Sequence, residues 1–180
     1  IFSVAMALRA YRWQVLFLDE KVPLRRLLLA QNAGIGLNSL SPIRVLSEAA
    51  QYVLLTFRYR VRREMVVATL GVQRVLDFVI GALLLGVGLL LLPGLQGFAL
   101  YVLGAGVVAA LSLLAVPAFI WVGARPGLTR MPLLASTSWS LRSLVHAKLN
   151  LTISILLTLE YWLLLGLSAW VLAHGMGIDI

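Results

Sequence analysis

The stretch from Phe78 to Ala124 contains no charged side chain, and it constrains the fold more than any other feature of the sequence. One membrane-crossing helix needs about 20 apolar residues, so this stretch can form two crossings. The whole chain is 61% hydrophobic and only 12% charged, whereas soluble domains are near half apolar and a quarter charged. The sequence therefore predicts an all-α, polytopic membrane protein.

The positive charges are concentrated in the short segments between the apolar runs. The net charge is +8, and an excess of Arg and Lys between membrane helices marks the cytoplasmic side. We therefore expect the basic segments 19–26, 58–63 and 124–148 to face the cytoplasm, and the turn at 93–97 to face the opposite side. This pattern sets topology and gives no reason to expect nucleic acid as a partner. The expected partners are membrane lipids, anionic ones above all, through their phosphates.

The sequence carries no pattern of catalytic or metal-binding residues. It has no cysteine, and its two histidines, His146 and His174, lie far apart. It contains neither a P-loop, a dinucleotide fingerprint nor a Ser-His-Asp arrangement. We therefore expect no cofactor, no metal and no enzymatic activity in this chain, although a synthase or transferase domain could be fused outside it.

Apolar runs divide the chain into the elements of a single transmembrane domain, residues 1–180. The predicted crossing helices lie at about 1–18, 65–92, 98–122 and 150–177. Residues 131–149 are predicted to form an amphipathic helix in the membrane interface, because their apolar side chains fall near one helical face. An ordinary connector is the alternative for this segment. The first run is short and begins at Ile1, so we expect the chain to be a fragment of a longer domain.

Residues 27–57 form two short apolar runs, separated by "NSLSP" at 38–42. Asn and Ser favour turns, and Pro42 has no backbone N–H to donate. Each run is roughly 20 Å long as a helix, so neither crosses a hydrocarbon core of about 30 Å alone. One helix kinked at Pro42 and a re-entrant hairpin with its tip near mid-membrane are both possible. Both ends of the pair are basic and so belong on the cytoplasmic side, which favours the hairpin.

Two closely spaced pairs of charged side chains, Arg44 with Glu48 and Arg74 with Asp77, lie inside the predicted membrane segments. Arg44 and Glu48 are four residues apart and Arg74 and Asp77 three, so the members of each pair share a helix face. Each charge at the bilayer centre costs about 2.5–3.5 kcal/mol, and these four sum to zero. We therefore expect one neutral cluster, with Arg44 and Glu48 facing Arg74 and Asp77. Such a cluster either fixes helix packing or marks a binding site, and the broken helix beside it favours the site.

Three segments carry a resemblance to a known family: "RAYRWQVLF", "NAGIGLNSLSPIRVLSEAAQYVLL" and "VQRVLDFVIGALLL". Together they resemble the transmembrane domain of lysylphosphatidylglycerol synthases and related flippase-like membrane proteins. The residues that match are Arg12, Trp13, Asn38, Pro42, Arg44, Glu48, Arg74 and Asp77. Most of the chain is covered, but only the middle of a complete family domain. The chain departs from the family pattern at Gln73, where an acid is usual, and at Ser47, where glycine is common.

The resemblance implies movement of a lipid between leaflets, in a prokaryotic plasma membrane. A phospholipid or a polyprenyl-linked lipid is the implied substrate, and its candidate binding residues are Asn38, Arg44, Glu48, Arg74 and Asp77. The alternative is a non-transporting anchor or packing subunit of a larger membrane complex or homo-oligomer. An open polar groove favours transport, whereas a site closed by protein side chains favours the anchor.

Overall fold

Seven α-helices and no strand form the part of the chain that this computed structural model describes, residues 1–18, 20–40, 44–125 and 132–177. The helices are α1 (Phe2–Leu16), α2 (Leu24–Leu40), α3 (Arg44–Val53), α4 (Arg63–Leu91), α5 (Ala99–Gly123), α6 (Pro132–His146) and α7 (Lys148–Gly175). A short π-helix, Leu54–Arg58, follows α3, and a 3-10 turn, Pro93–Phe98, joins α4 to α5. The all-α fold predicted from the sequence is confirmed.

Three of the described helical segments are long and apolar enough to cross a membrane: Arg63–Leu91, Gln96–Gly123 and Lys148–Gly175. They coincide with the crossings predicted at 65–92, 98–122 and 150–177. Large apolar side chains cover their outward faces, as lipid-facing surfaces require. The first predicted crossing forms α1, which has 15 residues and is shorter than the about 20 residues of a full crossing.

The segment predicted as a broken or re-entrant pair forms two separate helices, α2 and α3, that pack against each other. Gly34 allows this close approach, because a Cβ there would lie 2.8 Å from Ser47 Oγ and 3.0 Å from the Ser47 carbonyl oxygen. Since the two helices lie side by side, the chain reverses direction between them. Pro42 and its neighbours at 41 and 43 lie outside the described residues. The structure thus has a helical hairpin here rather than one kinked helix, and its depth in a membrane stays a prediction.

This hairpin runs along the first half of α4 only. Its base, which includes Leu55, shares a buried apolar cluster with Met65 near the start of α4. Near its tip, Asn38 lines a cavity together with Asp77, the central residue of the 29-residue helix α4. At 1.5 Å per residue, the tip lies beside a point about 21 Å along a helix about 43 Å long. A hairpin of this length reaches the middle of a crossing helix and then returns.

Helix α1 lies against both α4 and α7. On one side, Trp13 Nε1 donates a hydrogen bond to Thr69 Oγ1 of α4 at 3.1 Å. On the other side, Asn150 Nδ2 of α7 donates to the Val15 carbonyl oxygen at 2.8 Å. Trp13 and its neighbour Arg12 are completely buried. Polar contacts thus fix the position of α1 relative to two long helices and bring an arginine into the protein interior.

Helix α6 occupies most of the segment predicted as the interfacial helix 131–149, and it packs against α4 and α5. The side that it buries includes Leu141, which belongs to the predicted apolar face, and the small polar residues Ser138 and Ser140, whereas Val145 of that face is exposed. Gly123 of α5 gives the physical reason, because a Cβ at that position would collide with Ser138. Small residues on both helices allow a close approach that larger apolar residues would prevent. Location in the membrane interface stays a prediction.

Candidate functional site

The most deeply buried charge in the described chain is Arg12, which forms an ion pair with Asp77 of α4. The Arg12 side chain is 0% exposed and its Nη1 lies 2.5 Å from Asp77 Oδ1. Nη2 lies 3.4 Å from Asp77 Oδ2, so both carboxylate oxygens are engaged. Nη1 also donates to Thr158 Oγ1 of α7 at 3.1 Å, and that hydroxyl donates to the Ser154 carbonyl oxygen. One guanidinium thus connects α1, α4 and α7 near the middle of α4.

A second ion pair joins Glu48 of α3 to Arg74 of α4, with 2.5 Å between Glu48 Oε1 and Arg74 Nε. Its members are 39% and 35% exposed, so it is far more accessible than the Arg12–Asp77 pair. Each unpaired charge at the bilayer centre would cost about 2.5–3.5 kcal/mol. Pairing across helices offsets much of this cost and holds the hairpin against α4.

A cavity of about 560 Å³ lies beside these pairs, among side chains from α1, α2, α3, α4, α5 and α7. Its polar lining includes Arg9, Asn38, Arg74 and Asp77, and its apolar lining comes mainly from α4 and α5. The volume falls in the range of about 300–1,000 Å³ that is usual for small-molecule sites. The cavity thus brings charged and polar side chains together with an apolar wall.

Two hydrogen-bond donors at this cavity lack acceptors. Arg9 Nε and Trp162 Nε1 are both buried, and neither has a hydrogen-bond partner among the described residues. The Arg9 guanidinium lies 5.8 Å from the centroid of the Tyr161 ring, and Arg12 lies at the same distance from that ring. Tyr161 thus contacts two cations, of which Arg12 is neutralised by Asp77.

A second, smaller cavity of about 390 Å³ lies between α3 and α4. Apart from Glu48 and Arg74, its lining is largely apolar, with Tyr52, Val67 and Leu70 among its residues. Arg74 lines both cavities, so its ion pair with Glu48 stands at the boundary between the central cavity and this side groove.

The structure brings together four of the five candidate lipid-binding residues. Asn38, Arg74 and Asp77 line the central cavity, and Glu48 pairs with Arg74 at its edge. Arg44 begins α3, but its side chain lies outside the described part of the structure. That these residues bind lipid stays a prediction.

The pairing within the predicted cluster differs from the expectation in one respect. Glu48 faces Arg74 as expected, but Asp77 forms its ion pair with Arg12 of α1. Spacing within one helix identifies neighbours on that helix, whereas the partner of Asp77 comes from a helix 65 residues away in sequence. Arg12 could have been found from the sequence, because it is a charge in a short apolar run and belongs to the motif that carries the family resemblance.

Three further residues that line the cavity were not among the candidates from the sequence: Arg9, Tyr161 and Trp162. Arg9 offered a signal, since it lies one helical turn from Arg12 on the same apolar run. The two aromatic residues offered none, because aromatic side chains are common in membrane helices. No group of three or more His, Asp and Glu side chains comes together as a metal site within the described ranges.

Comparison with known proteins identifies the family. No curated protein and no solved structure gives a significant match to this sequence. The family model described as "Lysylphosphatidylglycerol synthase TM region" matches residues 1–180, the whole chain given. With its long apolar helices, the chain is therefore an integral membrane protein. The resemblance seen in the sequence is confirmed, and the chain belongs to the family of the lysylphosphatidylglycerol synthase TM region.

Proposed function

We propose that this domain moves a lipid headgroup between the two leaflets by way of the central cavity, as a flippase-like domain. The observation that carries the proposal is the position of the cavity: it lies beside Asp77, the central residue of a helix long enough to cross a membrane. Substrate sites of membrane transporters lie near the bilayer midplane, beside broken or re-entrant helices. The tip of the α2–α3 hairpin lines this cavity through Asn38 and Ser39.

The chemistry of the lining fits a lipid better than a water-soluble solute. Charged groups from α1 and α4 line the cavity together with the apolar residues Leu85, Ala105 and Val108. A polar headgroup and the start of its apolar chains could contact both kinds of residue at once. The substrate class that we propose is a phospholipid or a polyprenyl-linked lipid. Its setting is a prokaryotic plasma membrane with the basic loops in the cytoplasm, where these loops would attract anionic headgroups.

Filling the cavity tests this function. Gly104 of α5 lines the cavity and has open space around its Cβ position, so Gly104→Leu should occupy the cavity without disturbing its neighbours. In vesicles reconstituted with the protein, we expect this variant to slow the exposure of a labelled headgroup to an external quencher by about tenfold, which corresponds to about 1.4 kcal/mol in the barrier.

Gly106→Leu is the matched control, because Gly106 lies on the same helix, also has open space and is not among the cavity residues. The control should keep the rate of the unmodified protein. Equal rates in Gly104→Leu and Gly106→Leu, or no acceleration by the unmodified protein over protein-free vesicles, would contradict the proposal.

A second candidate function is that of a non-transporting subunit in a larger membrane complex or homo-oligomer. The observation that favours it is α5, whose only buried residues among those described are Ala109 and Gly123. The remainder of that helix presents large apolar residues such as Leu100 and Tyr101, which either lipid or a partner could cover. Cross-linking from cysteines placed along α5 in native membranes distinguishes the two coverings, since lipid gives no specific protein adduct.

A further inference from the structure

The charges around the central cavity do not cancel. Among the described side chains, Arg9, Arg12 and Arg74 line the cavity or stand directly behind it, and Asp77 and Glu48 are the carboxylates paired with two of them. Three cations against two anions leave one positive charge. Glu160, the nearest acidic residue in sequence to Tyr161, is exposed and is not part of the cavity lining.

Arg9 is the residue on which that charge remains. The guanidinium of Arg9 lies 5.8 Å from the centroid of the Tyr161 ring. A ring face attracts a cation and so offsets part of the cost of removing its water, but it does not neutralise the charge. Its Nε is buried without an acceptor, although buried donors in native proteins almost always have one. Arg9 therefore has no counter-charge among the described side chains, and its Nε has no hydrogen-bond acceptor there.

Trp162 adds an independent sign of the same kind. The indole nitrogen can only donate, and here it is buried with no acceptor among the described residues. Both residues line the same cavity, to which they come from α1 and α7. These two donors and the positive charge of Arg9 match a ligand that accepts hydrogen bonds and carries negative charge.

We infer that Arg9 and Trp162 form a binding subsite for a phosphate group, with Arg9 as the determinant of selectivity for an anionic ligand. A guanidinium binds two phosphate oxygens at once through its planar fork of donors. The subsite is separate from the residues chosen from the sequence. It rests on the proposed function for the source of the phosphate, which is a phospholipid headgroup; inorganic phosphate has the same chemistry and is tested separately.

The experiment measures binding and needs no transport. A short-chain fluorescent phosphatidylglycerol is titrated into purified protein in an uncharged detergent, and the Kd is compared between variants. Arg9→Gln removes the charge and should raise the Kd by about ten- to a hundredfold, the usual worth of a hydrogen bond to a charged group. Arg9→Lys should restore part of the affinity, and Trp162→Phe, which keeps the ring and removes the donor, should raise the Kd by a few-fold.

Arg25→Gln is the matched control, because it removes the same charge from an exposed arginine of α2 that does not line the cavity. The control should leave the Kd unchanged. Equal Kd values for Arg9→Gln and Arg25→Gln would overturn the inference, and so would diacylglycerol, which has no phosphate, binding as tightly as phosphatidylglycerol.

Inorganic phosphate, titrated alone, separates the two sources. Saturable binding that is lost in Arg9→Gln and displaces the lipid at similar concentration would support the anion subsite but overturn its assignment to lipid. Binding of phosphatidylglycerol that depends on Arg9, in a protein that moves no lipid between leaflets, would uphold the subsite and reject the proposed function. The two failures are therefore distinguishable.

Discussion

At the scale of single residues, the two ion pairs differ mainly in burial. The Arg12 side chain is completely buried, whereas about a third of the Arg74 and Glu48 side chains is exposed. Removing one member of a buried pair leaves a charge without a partner, which costs about 3–5 kcal/mol, while accessible pairs contribute about 0–1 kcal/mol. The Arg12–Asp77 pair should therefore dominate stability, and the Glu48–Arg74 pair should be free to respond to a ligand.

We predict that Asp77→Asn lowers the free energy of unfolding by about 3–5 kcal/mol, because Arg12 stays buried without a counter-charge. Glu48→Gln should cost about 1 kcal/mol or less, since Arg74 can reach solvent or headgroups. Thermal unfolding in detergent measures both variants. Glu20→Gln, which removes one member of the surface pair with Arg62, serves as a further reference for a small effect.

The double variant Arg12→Leu with Asp77→Leu should be less destabilised than the sum of its two single variants, because no unpaired charge remains. Strictly additive effects for Arg12 and Asp77 would show that the pair does not contribute as a unit. The same thermal unfolding assay applies, with all four proteins in one detergent.

At the scale of helices, the α2–α3 hairpin depends on close backbone approach at Gly34. With 17 and 10 residues, both helices are shorter than the about 20 residues of a usual crossing, so each needs the other and α4 for its position. The sequence indicated the break between them through "NSLSP", but Gly34 carried no mark that separated it from the nearby Gly36. Only the packing of the two helices shows that one glycine is enclosed and the other faces open space.

We predict that Gly34→Ala destabilises the protein while Gly36→Ala does not. Alanine favours a helix over glycine by about 0.8–1.0 kcal/mol at either position. At Gly34 this gain is outweighed by overpacking of about 1–3 kcal/mol, because the new Cβ would lie 3.0 Å from the Ser47 backbone oxygen, which cannot move independently of α3. A Gly34→Ala protein as stable as Gly36→Ala in thermal unfolding would contradict this packing.

At the scale of the whole molecule, α4 is the helix against which the other elements are positioned. The hairpin packs along its first half, and its central residue, Asp77, forms the ion pair with Arg12 of α1. The Pro93–Phe98 turn at its far end leads directly into α5. The basic residues Arg60 and Arg62 lie just before its start. The two ends of α4 are therefore predicted to lie on opposite sides of the membrane, with the basic residues at its start on the cytoplasmic side.

We predict that single cysteines at Arg60 and Gln96 are labelled from opposite sides of the membrane by an impermeant thiol reagent. Both side chains are exposed, and they stand beyond opposite ends of α4. The chain has no cysteine of its own, so each variant reports one position. Labelling of both positions from the same side would contradict a crossing by α4.

The sequence by itself determined the class of protein and most of its elements. Hydropathy located the three long helices, because a segment that must satisfy its own backbone in lipid is apolar over a fixed length. The proline and polar residues at 38–42 indicated the interruption of the hairpin, and the motif around Arg44 and Glu48 indicated the family.

Only the tertiary structure decided which residues on different helices contact each other. Asp77 pairs with Arg12 across 65 residues of sequence, and Arg9 reaches the same cavity as Trp162 from the other end of the chain. Helical periodicity fixes which residues share a face of one helix, but it carries no information about which face of another helix lies opposite. That choice depends on where small residues such as Gly34 and Gly123 let backbones approach, and so the charges of the site find their counterparts only when all the helices are packed.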